Sequence, residues 1–591
     1  MKIHQETFTE RVLTRAGDRG DAEAFAFVRP HGTDRLTYAE LDRRAMGIAS
    51  WLQDRGLAGR QVLLLHPSDL TFVTAFVGCL YAGAVAVPAP LPTDRERHFE
   101  RLSRIAADAR VGAVLTTADH VDALRDRLHT QDPVPCLATD AGQVGDPARW
   151  RAPALRPDDL AFLQYTSGST SAPKGVMVSH RNLMANEAAI QRALGSGSRS
   201  CFGSWLPLYH DMGLIGHVLQ PLWLGARAAL MDPADFMRRP AVWLEMIGDH
   251  GVTIGAAPNF AYDMCVRRVK DAELDRLDLS SWESACNGAE PVRADTIEAF
   301  TRRFATAGFR PEAFFPCYGM AETTLLVSGT PRGTRPATRS VDPAALETGV
   351  LAEPDPQRPG RTLVSSGVVH AEDFEVRIVD PDTAHGVPAG RVGEIWVRGA
   401  SVAEGYWARP DATAETFGAR LTDQEETDGW LRTGDLGALV DGHLYVTGRL
   451  KEMILVNGRN IYPHDVESTA RSTDRALGTG AAFAVRSARG GRERLVVVLE
   501  TTGLGGGPTG AQEWAPELVE RVQAAVTAEF AVPAGNVLLV APGTVRRTTS
   551  GKIQRTLMRR LFLTGGFEER TLYAVVEPEV RELIGPAPVT V

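Results

Sequence analysis

The sequence predicts a two-part α/β + α+β protein: a large N-terminal domain of α/β layers carrying a β subdomain, followed by a small C-terminal α+β domain. Three observations point there. The chain has 591 residues, more than one hydrophobic core normally holds, so at least two folded units are expected. Short apolar runs alternate with helix-like segments through the first several hundred residues, the pattern of parallel strands joined by helices. Around residues 382–391 the strands shorten and tight turns multiply, and beyond Gly448 a second mixed pattern begins.

The elements follow in order. Residues 61–66 (QVLLLH) and 112–116 (GAVLT) read as buried strands, with an apolar stretch at 71–90 and an amphipathic segment at 94–110 between them. The stretch 71–90 (TFVTAFVGCLYAGAVAVPAP) has nearly the length of a membrane span. Its small residues and closing prolines instead predict a buried helix followed by a strand, and no membrane anchor. Residues 160–164 form a further short strand that runs into a Ser/Thr/Gly loop. After the loop, Ser179 is the expected N-cap of a helix with Leu183, Ile190 and Leu194 on one face. Segments 393–399 (GEIWVRG) and 442–448 (GHLYVTG) alternate like half-exposed strands. Farther on, AAFAV and RLVVVLE read as a hairpin around Arg489-Gly490-Gly491, followed by a helix with Trp514, Leu518, Val522 and Val526 four residues apart. The expected domains are 1–448 and 449–591.

Composition narrows the function. A net charge of -9 and the absence of any basic stripe, Arg546-Arg547 and Arg559-Arg560 included, argue against nucleic-acid binding. Six cysteines stand singly with no CxxC pair, so neither a disulfide framework nor a zinc site is expected, and a reducing cytoplasm suits them. The N-terminus carries acidic residues early and no apolar core of a signal peptide, which again makes a cytoplasmic protein the expectation.

The strongest chemical signal is residues 165–175, YTSGSTSAPKG, leaving the strand at 160–164. Hydroxyls, exposed backbone N–H groups and the Lys174 ammonium could together enclose a polyphosphate. It is not a Walker loop, which needs Gly before the lysine and Ser or Thr after it, where this chain has Pro173 and Gly175. By composition alone a solvent-exposed turn reads equally well.

The loop resembles the phosphate-binding signature of the adenylate-forming superfamily, which includes acyl-CoA synthetases, luciferases and peptide-synthetase adenylation domains. Further segments resemble the superfamily's motifs in the right order: Asn287-Gly288-Ala289-Glu290-Pro291 and Tyr318-Gly319-Met320-Ala321-Glu322-Thr323 for adenine and magnesium, Leu431-Arg432-Thr433-Gly434-Asp435 for ribose, Gly448-Arg449-Leu450-Lys451-Glu452 for the interdomain hinge, and Thr548-Thr549-Ser550-Gly551-Lys552 for the C-terminal lysine. The resemblance runs from Thr37-Tyr38 to about Leu561. It implies ATP and Mg2+ as cofactors and activation of a carboxylic acid to an acyl-adenylate.

The same resemblance assigns roles. Catalysis falls to Lys552 and Glu322, and ATP binding to Thr166, Ser167, Gly168, Ser169, Thr170, Lys174, Asn287, Gly288, Ala289, Glu290, Tyr318, Gly319, Met320, Ala321, Thr323, Asp435 and Arg449. Thr166 and Glu322 are the implied metal ligands, and Lys451 the hinge. These types suit the chemistry. A carboxylate must approach an anionic phosphate, so positive charge such as Lys552 is needed. Glu322 is an oxygen ligand for magnesium, and Asp435 can accept two hydrogen bonds from a cis-diol. Trp205, His210, Met212, Gly213 and Phe260 are expected beside the acyl pocket, His210 without the role of a base.

Within the superfamily the chain resembles fatty acyl-AMP ligases most. YTSGSTSAPKGVMVSHRNL and SWLPLYHDMGLIG match that subgroup, and Asp465 stands where acyl-CoA synthetases usually have glutamate. Residues 331–364, a Pro/Arg-rich stretch, look like the subgroup's insertion, which hinders the movement needed for transfer to CoA. The implied reaction loads a fatty acid onto the phosphopantetheine thiol of a holo acyl carrier protein, expected as a separate chain because the tail beyond Lys552 is short; CoA as acceptor is the alternative. Residues 501–510 (TTGLGGGPTG) lack GxGxxG spacing and read as a flexible connector rather than a dinucleotide loop.

Overall fold

The computed structural model describes residues 6–92, 96–130, 133–142, 144–166, 173–357, 360–423, 429–456, 459–486, 493–502, 507–548 and 551–585. It consists of a large N-terminal α/β domain with mixed sheets and a smaller C-terminal α+β domain.

A six-stranded sheet runs in the order Cys136–Ala138, Ala113–Thr116, Gln61–Leu64, Val85–Pro88, Leu160–Thr166, Lys174–Ser179, parallel except for the last pair. The stretch at 71–90 is a helix, Leu70–Ala82, capped by Asp69 and ended by Gly83 at φ 69°, then the strand Val85–Pro88. That helix is buried all round, which explains a membrane-like hydrophobicity without a membrane role. None of the described helices is long and apolar enough to cross a membrane. Ser179 caps the next helix, His180–Leu194, by a reciprocal bond with Asn182, and Leu183, Ile190 and Leu194 are buried along it.

A second, longer sheet joins parallel and antiparallel halves. Its parallel half places Phe314–Gly319, Ser284–Asn287, Ile254–Ala257, Cys201–Ser204, Arg227–Met231 and Glu23–Arg29 side by side. Leu326–Gly329 and Val368–Val369 then link it antiparallel to the β subdomain formed by Phe374–Val379, Gly393–Gly399, Leu431–Val440 and His443–Arg449. One hydrophobic cluster spans both sheets, from Phe25 and Phe202 to Leu64 and Phe162.

Two strands depart from the expected half-exposure. Gly393–Gly399 is buried over its first five residues, because Ile395 and Val397 face the main core while Trp396 packs with Trp430 on the opposite face. In His443–Arg449, Leu444 faces the core and Tyr445 a separate cluster formed by the segment 331–364. That segment is no irregular loop. Thr338–Val341 pairs antiparallel with Arg361–Val364, and between them lies the helix Pro343–Glu347, capped by Asp342. Val341, Leu346 and Leu363 pack with Tyr445 of the large domain and with Tyr462 of the small one.

The small domain is a four-stranded sheet in the order Leu477–Arg486, Glu493–Thr501, Asn536–Val540, Thr571–Val575. Successive residues of Glu493–Thr501 alternate between two cores: Val497 and Leu499 against Val466, Leu518 and Val522, and Val496 and Val498 against Met558 and Phe562. The turn between the first two strands, including Arg489-Gly490-Gly491, lies outside the described residues. Of the expected connector 501–510, Thr501 ends a strand and residues from Gly507 onward belong to the helix Gly507–Phe530; 503–506 lie outside the described residues. The connector is therefore shorter than its glycine content predicts, because packing of the helix against the sheet outweighs the weak helix propensity of its first residues.

Candidate active site

A cavity of about 430 Å³ opens where the carboxyl ends of parallel strands from both sheets converge. Thr166 ends one contributing strand; Asn287 and Gly319 end two others. Strand ends are where open α/β sheets leave backbone groups and loops free to meet a ligand. The small domain closes the cavity with Lys451, Glu452, Thr548 and Lys552.

Thr166 and Lys174 face one another across the antiparallel pair, so the strand register sets both at the cavity. Of the expected phosphate loop, Ser167, Gly168, Ser169 and Thr170 lie outside the described residues. The Lys174 ammonium stands 4.6 Å from the centre of the Tyr406 ring, and the Tyr406 hydroxyl donates to Glu322 Oε1 at 2.8 Å. Burial pushes the Glu322 carboxyl up, the Tyr406 hydroxyl partly offsetting this. Tyr406 was not legible in the sequence; it sits in the irregular GYW segment, and only the bridge to Val176 brings it beside Lys174.

Glu322 rides on a tight turn, Ala321–Thr323. Thr323 donates its hydroxyl to the Met320 carbonyl at 2.9 Å and builds that turn instead of lining the cavity. Gly319 enters the turn where any Cβ would lie 1.7 Å from the Leu325 carbonyl oxygen, so only glycine fits. Tyr318, Gly319, Met320 and Ala321 all line the cavity.

Beyond the Ser284–Asn287 strand, Gly288 and Ala289 line the cavity, and Ala289 holds a left-handed φ of 66°. Asn287 and Glu290, also expected at ATP, are not among the residues lining it. Asn287 points back into the protein toward Asn259, 3.4 Å from its Oδ1. Glu290 accepts the Phe260 N–H at 2.5 Å. Its burial raises the carboxyl, and after that N–H the positive groups of Arg547, Lys552 and Arg555 counter the rise. Glu290 thus faces the small domain.

Asp435 and Arg449 are cross-strand partners. Asp435 accepts from Arg449 Nε at 2.8 Å and from the Tyr318 hydroxyl at 2.9 Å, which orients the carboxylate before any ligand arrives. The negative charge of Asp435 in turn pushes the Arg449 guanidinium up. Lys552 stands next to the antiparallel bridge between Arg547 and Ile553. Its N–H donates to Thr548 Oγ1 at 3.0 Å, and the Thr548 N–H donates to the Lys552 carbonyl at 2.7 Å.

The residues expected beside the acyl pocket fall into two groups. His210 and Met212 line the cavity, whereas Trp205, Gly213 and Phe260 do not. Trp205 stacks on Phe236 at 4.0 Å between centroids, in an aromatic layer behind the wall. A Cβ on Gly213 would fall 2.3 Å from the Pro207 carbonyl oxygen, so this glycine serves close packing. His210 Nδ1 lies 2.6 Å from Asp211 Oδ1. Burial alone would raise Asp211, but His210, the Lys552 charge and the Met212 N–H together outweigh it and bring the carboxyl down to about 2. The apolar part of the wall instead comes from Ile190, Leu194, Ile254, Phe315, Leu325 and Leu326. Ile190 and Leu194 read in the sequence only as a helix face, because a channel wall and a core wall use the same residue types.

The cavity therefore combines an apolar wall with the Glu322 carboxylate, the Arg449 guanidinium held from beside it by Asp435, and three lysines, Lys174, Lys451 and Lys552. Among known proteins, the sequence profile described as AMP-binding enzyme matches residues 13–407. The chain is 39% identical over 578 residues to the medium-chain-fatty-acid–[acyl-carrier-protein] ligase JamA of Moorena producens, covering 95% of this chain and 96% of that one. It is 38% identical over 564 residues to FadD21 of Mycobacterium tuberculosis, named a fatty-acid–CoA ligase, covering 92% and 95%. Among solved structures, the fatty acid AMP ligase from Legionella pneumophila superposes with a TM-score of 0.75 at 36% identity, covering 96% of this chain and 97% of that one. A fatty acyl-adenylate ligase from a study of the E. coli and L. pneumophila enzymes superposes with a TM-score of 0.85 at 32% identity, covering 95% and 98%.

Proposed function

Because this chain belongs to the AMP-binding enzyme family, among the fatty acyl-AMP/CoA ligases that use ATP to activate a fatty acid, we propose that it hands the acyl group to the phosphopantetheine thiol of a separate carrier protein and not to CoA. In the first step a carboxylate oxygen bonds to the α-phosphorus of ATP, and the bond to the β-phosphate breaks to release pyrophosphate. Both reacting groups are anionic. Lys552, supported by Lys174 and Arg449, supplies positive charge around them, and in a partly enclosed cavity such charge acts more strongly than in water. Asp435 holds the ribose hydroxyls while Arg449 and Tyr318 keep its carboxylate still. The oxygen donors Glu322 and Thr166 share the cavity wall and suit a hard cation such as Mg2+. When bound, that cation would neutralise phosphate charge and help pyrophosphate leave.

The observation that carries the choice of acceptor is the anchoring of the segment 331–364 to the small domain. Arg361 Nη1 pairs with Asp465 Oδ2 at 2.5 Å, Glu347 pairs with Arg459 at 2.5 Å, and Tyr462 is buried in the segment's own cluster. These contacts restrain 449–591 in the orientation that keeps Lys552 at the cavity. They oppose a swing about Lys451 of the kind CoA transfer needs. The acceptor in the name of the JamA relative supports this reading; the name of FadD21 favours CoA as the second reading.

The test is mass spectrometry of one mixture of the protein with ATP, Mg2+, a fatty-acid panel, CoA and a holo carrier protein. Acyl-AMP and acyl-carrier without acyl-CoA is the expected outcome. Abundant acyl-CoA would overturn the carrier assignment and leave the segment 331–364 a purely structural element.

A further inference from the structure

The apolar part of the cavity wall contains a histidine. His217 lies in the middle of a single π-helical turn, Ile215–Leu219, and lines the cavity beside Gly216. Such turns insert an extra residue into a helix and so redirect side chains, which is why they recur at functional sites. The ring is only 2% exposed, and the edge-to-face contact with Phe202 at 6.4 Å sets its plane.

The hydrogen bonding of the ring settles its tautomer. His217 Nδ1 lies 3.0 Å from the Met212 carbonyl oxygen. A carbonyl oxygen only accepts, so Nδ1 carries the proton and donates it. Burial pushes the imidazole down to about 4, against a smaller opposing pull from that carbonyl, so the ring is neutral near pH 7. Nε2 therefore holds a lone pair and no proton. Among the described residues it is buried and has no hydrogen-bond partner. A buried acceptor without a partner is rare in a folded protein, and here it belongs to the side chain of a substrate cavity.

We propose that His217 is a specificity-determining residue that accepts a hydrogen bond from a hydroxyl carried on the chain of the acid, making a hydroxylated fatty acid the preferred substrate over the plain one. This rests on the reading of the cavity as the site of fatty-acid activation. The chemistry selects a hydroxyl over the other polar groups of a modified chain. Keto, ester and ether oxygens accept and cannot donate. An ammonium donates, but it would bring a charge into a part of the wall where Leu325 packs beside Gly216. A plain alkyl chain leaves Nε2 unpaired, and sites built to bond a hydroxyl discriminate against analogues that lack one.

The experiment measures pyrophosphate release by the full-length protein with ATP, Mg2+ and acids of one chain length: the plain acid and isomers hydroxylated at successive carbons. Wild type is expected to favour one isomer over the plain acid by about tenfold in kcat/KM, the size of one well-made hydrogen bond to a neutral group. The gain should lie in KM, because the contact exists before and during reaction. In His217→Phe the ratio of that isomer to the plain acid should fall to about one, and His217→Gln, whose amide oxygen can accept, should restore part of it. Equal use of the plain acid and every isomer by wild type overturns the proposal without need of a variant. So does a preference that survives His217→Phe, or a stronger preference for an amide-bearing chain. If wild type activates none of the acids, the fatty-acid reading itself fails and the proposal falls with it; activation without hydroxyl preference sinks the proposal alone.

Discussion

Gly551, the residue before Lys552, rests against the ring of Phe260 so closely that a Cβ there would fall 2.8 Å from the ring. Its φ is 86°, a conformation that side-chain-bearing residues rarely adopt. The Gly551-Lys552 segment of the small domain is thus seated on an aromatic residue of the large one, which Glu290 braces through the Phe260 N–H. Gly551→Ala is expected to lower the adenylation rate by about tenfold or more, since roughly 1.4 kcal/mol of misplacement suffices for that factor. Gly551→Ala combined with Phe260→Leu, which relieves the contact, should recover part of the loss. A full rate in Gly551→Ala by pyrophosphate release would remove the seating argument.

Lys552→Ala should reduce acyl-adenylate formation by about 10²–10³, the usual loss when a preorganised charge is removed from a developing anion. ATP binding, measured by calorimetry, should stay within a few-fold of wild type, because Lys174, Asp435 and Arg449 remain in the wall or beside it. A variant that still released pyrophosphate at the wild-type rate would end the assignment of Lys552.

Glu322→Gln should raise the Mg2+ concentration needed for half-maximal activity, since a neutral amide is a poorer ligand for a hard cation than a carboxylate. Tyr406→Phe removes the hydroxyl that donates to Glu322 and should act in the same direction but more weakly. Magnesium titrations that superpose for wild type and Glu322→Gln would place the metal elsewhere.

Arg361→Ala breaks the pair with Asp465, whose two side chains are 24% and 20% exposed. The stability cost should be about 1–3 kcal/mol, between that of a surface pair and that of a fully buried one. The small domain should also be less restrained, so acyl-CoA should appear or increase, and proteolysis near residues 449–453 should quicken. Unchanged acyl-CoA together with unchanged proteolysis would show that the anchor does not restrain the swing.

The pH dependence of stability should carry the signature of buried neutral histidines. Burial takes His66 down to about 3, and His180 and His217 to about 4. Unfolded histidine takes up its proton near pH 6.5, so between pH 6.5 and 4 the unfolded chain binds more protons than the folded one. Stability therefore falls on acidification through that window and is unaffected by these groups above it. At pH 5 the loss due to one such histidine is about 2 kcal/mol. His217→Phe should lose correspondingly less stability than wild type between pH 7 and pH 5 in denaturant titrations; equal losses would mean that His217 is not held neutral.

Much of this protein was legible before folding, and what was legible is local. The helix behind Ser179 follows from a capping pair three residues apart, and the helix-then-strand at 71–90 from Gly83 and the composition on either side. The ordered motifs from Thr166 to Lys552 name the reaction because its chemistry needs particular groups in each strip. Backbone constraints of a few residues are written into neighbouring positions. What the sequence could not decide is which face of an element meets what. Trp205 and Phe260 carry the right chemistry for an acyl pocket, yet they meet edge-to-face and are not among the residues lining the cavity. Ile190 and Leu194 line the cavity from a helix that reads as ordinary core. Tyr406, Arg361 and His217 were invisible because their partners, Glu322, Asp465 and the Met212 carbonyl, take their meaning only from distance in space. Periodicity tells that a side chain is buried, while packing and hydrogen-bond geometry decide whether it is buried against protein or against the space a substrate fills.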